Sequence, residues 1–176
     1  VNDKGDSLTF INGKICSILL SEKEDLLPWF RIMKAADIAN LKTIHFTSQI
    51  PGSYIPYIKE IARLKPNTSL VIEEDDSLNL LELYFKETDF FTPRFVKIST
   101  TQNNFSLLSN WKDVECLYIN ILDSITTQPL PAMPALKECI VYADDTITIA
   151  PSFFNNNRQL KKLTILSGIS DYTLLQ

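Results

Sequence analysis

The strongest constraint on this chain is a short apolar pattern that returns seven times. It reads Gly13-Lys-Ile-Cys-Ser-Ile18, Leu41-Lys-Thr-Ile-His-Phe46, Asn67-Thr-Ser-Leu-Val-Ile72 and Pro93-Arg-Phe-Val-Lys-Ile98. It continues with Val114-Glu-Cys-Leu-Tyr-Ile119, Leu136-Lys-Glu-Cys-Ile-Val141 and Leu160-Lys-Lys-Leu-Thr-Ile165. Successive onsets lie 28, 26, 26, 21, 22 and 24 residues apart. One apolar hexapeptide is a common strand, but seven at near-even spacing describe an array. Each unit then hides its apolar face only by stacking on the next.

The segments between the patterns are long enough for parallel crossovers, which need about a dozen residues. In Asp25–Asn40, residues Leu26, Phe30, Met33 and Ile38 recur at helical spacing, and Glu24 and Asp25 sit where acids favour a helix start. Ser53–Leu64 repeats the design with Tyr54, Tyr57, Ile58, Ile61 and Leu64, and Pro56 is tolerable in a first turn. Ser77 is placed to cap a helix over Leu78–Phe90, and Asn104 a shorter one to about Trp111. Thr126–Pro134 holds three prolines and cannot be a regular helix. The shorter units are therefore expected to use extended or 3₁₀ chain instead.

The hexapeptides resemble the L-x-x-L-x-L core of leucine-rich repeats, and the likeness runs from Gly13 to about Leu166. The stretch Ile147–Ile165 is most similar to the bacterial form of the repeat. The resemblance implies an α/β fold: a right-handed solenoid with a parallel β-sheet on the concave face and helices or irregular segments on the convex face. The family's Asn falls here on Ser21, Gln49, Asp75, Thr101, Leu122, Asp144 and Gly168, so the array is divergent. Residues 1–7 read as a polar tail, and 8–176 as a single repeat domain of about seven strand units. Leu8–Ile11 is a candidate strand covering the first unit. The run beyond Ile165 has no polar cap, so either it folds back or the natural chain continues.

Composition narrows the function. Hydrophobic residues make up 45% of the chain, and the net charge is −4 with a pI near 5.0. That balance argues against nucleic acid, whose phosphates need a basic surface. No run approaches the roughly 18 apolar residues of a membrane-spanning helix. The four glycines form neither a dinucleotide nor a P-loop motif, so no cofactor is expected. Cys16, Cys116 and Cys139 form neither a disulfide framework nor a zinc motif, and read as free thiols. The single histidine, His45, lies mid-strand at an outward position. The acidic run Glu73–Asp76 follows a strand, reads as a solvated loop and does not match a calcium loop. The polar start without Met leans towards an exported or cell-surface protein; the unpaired cysteines lean towards the cytoplasm.

Strand alternation names the surface of interest. With Cys16/Ile18, Ile44/Phe46, Leu70/Ile72, Val96/Ile98, Leu117/Ile119, Cys139/Val141 and Leu163/Ile165 inward, three outward columns follow. The middle one is Ser17, His45, Val71, Lys97, Tyr118, Ile140 and Thr164. The earlier one is Ile15, Thr43, Ser69, Phe95, Cys116, Glu138 and Lys162, and the later one Leu19, Thr47, Glu73, Ser99, Asn120, Tyr142 and Leu166. Phe95, Lys97, Tyr118, Asn120, Ile140 and Tyr142 form the candidate partner-binding set, because aromatic anchors ringed by polar groups mark binding hot spots. The expected function is a non-catalytic module binding a protein, peptide or glycan. The alternatives are a spacer domain of a larger cell-surface protein, and an α/β hydrolase using His45 and nearby acids.

Overall fold

The computed structural model describes residues 5–21, 23, 25–47, 51–73, 91–101, 103, 105–122, 125–143, 148–167 and 171–175. Their strands are β1 (Ser7–Ile11), β2 (Lys14–Leu20), β3 (Thr43–Phe46), β4 (Ser69–Glu73), β5 (Phe95–Thr100), β6 (Cys116–Ile121), β7 (Ile125–Thr126), β8 (Glu138–Ala143), β9 (Thr148–Ile149), β10 (Lys162–Ser167) and β11 (Asp171–Leu175). Nine of them form one open sheet in the order β1-β2-β3-β4-β5-β6-β8-β10-β11. The seven strands from β2 to β10 in that order run parallel. Strands β1 and β11 pair antiparallel at the two edges. A second, two-stranded parallel sheet joins β7 to β9. The fold is thus mixed α/β, with strands in chain order and few helices.

All seven hexapeptides hold a sheet strand, and each strand starts one or two residues after the onset of its pattern. The reason is packing. Leu41, Val114, Leu136 and Leu160 are buried at the mouth of their strands, before the extended ladder begins. The next inward positions, Ile44, Leu70, Val96, Leu117 and Cys139, are fully enclosed. They join Phe30, Ile38, Tyr54, Ile58, Ile61, Phe105, Leu108 and Phe153 of the crossovers in one continuous core. The crossovers therefore cover the inward face, while outward residues of β3, β5 and β6 stay half-exposed between buried neighbours.

The register agrees with the expected columns from β3 to β10 but not in β2. Ile18 and Leu20, not Cys16 and Ile18, align with Ile44 and Phe46. The offset is two residues, and β2 also carries a bulge in its pairing with β1. The β1–β2 hairpin turns at Asn12-Gly13, whose φ angles of 52° and 74° suit a two-residue primed turn. Pairing then jumps from Thr9↔Ser17 to Phe10↔Ile15, leaving Cys16 as the extra residue. The jump carries Ile15, expected outward, into the core at 5% exposure. Leu19, rather than Ser17, then lines up with His45.

Two of the described helices are shorter than expected. Helix α1 spans only Leu27–Phe30, and the chain then runs through turns to Asn40. The Asp37 carboxylate accepts the Lys34 N–H at 2.7 Å, a local bond that starts a fresh turn in place of a continuous helix. Helix α2, Ile55–Leu64, follows a 3₁₀ turn at Gly52–Tyr54 and matches its expected span. Helix α3 is Phe105–Leu108, after which 3₁₀-type bonds such as Trp111 N–H to Leu108 O carry the chain onward. The prolines of 126–134 leave extended chain and turns, and Pro151–Phe154 forms a 3₁₀ turn. The expected helix over Leu78–Phe90 and the capping Asn104 lie outside the described residues.

Two polar clusters brace the crossovers. The Asp6 carboxylate accepts bonds from the backbone N–H and hydroxyl of Ser21, from the Leu26 N–H and from the Tyr54 hydroxyl. It ties the β1 hairpin to both early crossovers, so from Asp6 onward the segment read as a tail is fastened. Asn157, 1% exposed, accepts the Met133 N–H at 2.9 Å and donates to Pro131 O at 2.8 Å. It links the last two crossovers where the Pro-rich chain offers no ladder of its own.

Replacing Asp6 with Ala leaves several buried donors without an acceptor. The expected cost is about 2–3 kcal/mol, given the usual worth of bonds to a charged group. Urea unfolding reads it, and a change below about 0.5 kcal/mol would remove Asp6 from its bracing role. Tyr54 adds a pH test. Burial first, then the bond to Asp6, holds its phenol well above the usual 10.0. The unfolded chain therefore ionises first. Stability is full below about pH 10 and falls above it, more steeply in the wild type than in Tyr54→Phe. Equal alkaline slopes would contradict this assignment.

Candidate interaction surface

The six candidate residues come together on three adjacent strands. Phe95 and Lys97 lie on β5, Tyr118 and Asn120 on β6, and Ile140 and Tyr142 on β8. Parallel pairing aligns Lys97, Tyr118 and Ile140 in one outward row. Ser99, Asn120 and Tyr142 form the next, and Phe95, Cys116, Glu138 and Lys162 the row before. Neighbouring strands sit about 4.8 Å apart, so residues in one row touch.

The contacts follow from that register. The Lys97 ammonium stands 5.0 Å from the centre of the Tyr118 ring, a cation–π arrangement. Asn120 Nδ2 donates to Ser99 Oγ at 3.3 Å. Tyr142 is 37% exposed, one of the few large apolar side chains among the described residues open to this degree. Partial burial, and then the nearby Tyr142, hold the Tyr118 phenol above its usual range, so it is a neutral donor at physiological pH. Together these side chains offer flat apolar area with amide, hydroxyl and phenol groups at its margin.

A charged margin borders the rows at the strand starts. Glu115 takes Lys137 at 2.7 Å and Arg94 at 3.8 Å, and Glu138 takes Lys162 at 2.6 Å. The bond to Lys137 is the main reason the Glu115 carboxyl sits below its usual value. The bond to Glu138 likewise raises Lys162. These are exposed pairs whose role is to order the margin, since each contributes little to stability.

His45 lies in the middle row between Leu19 and Val71. Glu73 ends β4, and the rest of the acidic run lies outside the described residues. Among the described residues no three His, Cys, Asp or Glu side chains converge as a metal site would require. No helix among them is long and apolar enough to cross a membrane. An open groove of about 610 Å³ lies away from these rows, where Leu8 and Phe10 of the hairpin meet Trp29 and Ile32. The Asp6 and Asn157 clusters escaped sequence reasoning because their partners lie 15 or more residues away. The only hint was Asn155-Asn-Asn157 set among apolar residues. Compared with known proteins, the chain matches no family model, no curated sequence and no solved structure.

The three thiols differ in reach. Cys16 and Cys139 are buried, and Cys116 is partly open in the row of Phe95 and Glu138. Burial first, then Glu138, raises the Cys116 thiol above its usual value, so it is a poor nucleophile at neutral pH. Burial raises Cys139 further. Iodoacetamide on the folded protein at pH 8 is expected to modify Cys116 alone and slowly, with all three thiols reacting after denaturation. Fast labelling of Cys139 in the native state would contradict the inward register of β8.

Proposed function

We propose that the chain is a non-catalytic interaction module that binds a protein, peptide or glycan through the outward face of its sheet. In this reading the array is a divergent leucine-rich-repeat-type, right-handed solenoid with that face concave. Phe95, Lys97, Tyr118, Asn120, Ile140 and Tyr142 make the contact. The observation that carries it is the one-sided packing of the crossovers. The aromatic and aliphatic residues of β5, β6 and β8 stand half-exposed in register while the opposite face is sealed. Surface apolar groups gathered in this way usually serve a contact.

The test is binding of the purified chain to peptide and glycan arrays, beside the folded variant Phe95→Ala/Tyr118→Ala/Tyr142→Asp. The expected outcome is a ligand held at least about tenfold more weakly by the variant, as lost hot-spot residues imply. Matching far-UV spectra and thermal midpoints check that both chains are folded. Equal affinity would move the site off this face.

A further inference from the structure

Parallel order gathers charge as well as apolar groups. Because all seven central strands run the same way, every strand start falls on one side of the sheet. Backbone bonds put Arg94, Glu115, Lys137 and Lys161 on successive rungs there: Glu115 N–H to Arg94 O, Lys137 N–H to Glu115 O and Lys161 N–H to Lys137 O, each 2.8 Å. One residue further in come Phe95, Cys116, Glu138 and Lys162. Among the described residues on these rungs, Arg94, Lys137, Lys161 and Lys162 meet two carboxylates, Glu115 and Glu138. Lys97, over Tyr118, adds a further cation beside them. The corner is cationic in a chain whose net charge is −4.

The acids lie elsewhere in the sequence. Runs of adjacent acids occur in the sequence at Glu73–Asp76 and Asp144-Asp145. Lys137 stands one rung, about 4.8 Å, from Lys161 and Lys162, within the screening length of about 8 Å at physiological salt, so these cations act together on one ligand, with Arg94 two rungs further along. The adjoining rows hold Phe95, Ile140 and Tyr142, which suit apolar side chains better than a uniformly polar sugar.

We infer that the ligand of this face is an extended acidic peptide with interspersed apolar residues, its carboxylates on the strand-start cations and its apolar side chains on the aromatic rows. The inference rests on the interaction reading proposed above and adds the chemistry of the partner. Fluorescence anisotropy with a labelled ten-residue peptide alternating Glu with Leu or Tyr tests it. The comparison probes are the same peptide with Gln for Glu and a sulfated oligosaccharide.

The Glu peptide is expected to bind at least about tenfold tighter than the Gln peptide, and to weaken as salt rises from 50 to about 500 mM. Lys161→Glu/Lys162→Glu is expected to lose at least about tenfold for the Glu peptide and little for the Gln peptide. Both substituted side chains are exposed, and the salt series on the wild-type chain needs no variant. Equal binding of the Glu and Gln peptides overturns the charge inference and leaves the interaction reading intact. Glu-peptide binding that survives Phe95→Ala/Tyr118→Ala/Tyr142→Asp overturns the interaction reading. Retention of the sulfated oligosaccharide without the peptide, or of none of the probes, overturns the peptide inference.

Discussion

A parallel strand pair cannot close a core by itself: each unit leaves one apolar edge that only the next unit covers. This nearest-neighbour burial is the constraint on which the rest of the structure depends. Ile44, Leu70, Val96, Leu117 and Cys139 are each enclosed because the strand on either side brings an equivalent residue to the same depth. The crossovers complete the burial from one side. The two edges are closed in a different way, by antiparallel strands that reverse the chain and end the parallel series.

The same constraint makes the outward face. Residues between the buried positions are carried along in register whether or not they contribute to the core. A column of side chains remote in sequence therefore becomes a surface with rows. Lys97 meets Tyr118 across 21 residues of chain because their strands share a register, and not through any local preference. Charge obeys the same geometry: residues at equivalent points of each unit accumulate on one side of the sheet, and a mildly acidic chain acquires a basic corner.

Much of this was legible beforehand. The recurrence of Leu41, Val114, Leu136 and Leu160 with their partners three and five residues on located the sheet strands, because that spacing alternates buried and open positions. The set of six outward residues followed from alternation alone, and the strands do place them side by side. The β2 register was not legible. Strand β2 pairs with β3 two residues further along than the hexapeptide alignment gives, and the bulge at Cys16 turns Ile15 inward without leaving an apolar signature. Helix length in 25–40 was also hidden. Leu26, Phe30, Met33 and Ile38 fit a helix, yet one Asp37 bond to the Lys34 N–H divides the segment into turns.

By itself the sequence determined the strand positions, the inward and outward faces from β3 to β10 and the mixed α/β class, because each rests on periodicity within a few residues. Only the tertiary structure decided which strands are neighbours, where the hairpin closes the first edge, and that Asp6, Ser21 and Tyr54 share one carboxylate. It also decided that Arg94, Glu115, Lys137 and Lys161 stand on successive rungs. The physical reason is common to all of these. They depend on contacts between residues far apart in the chain, and the cost of bringing those residues together is met by burial of the whole array rather than by any local preference.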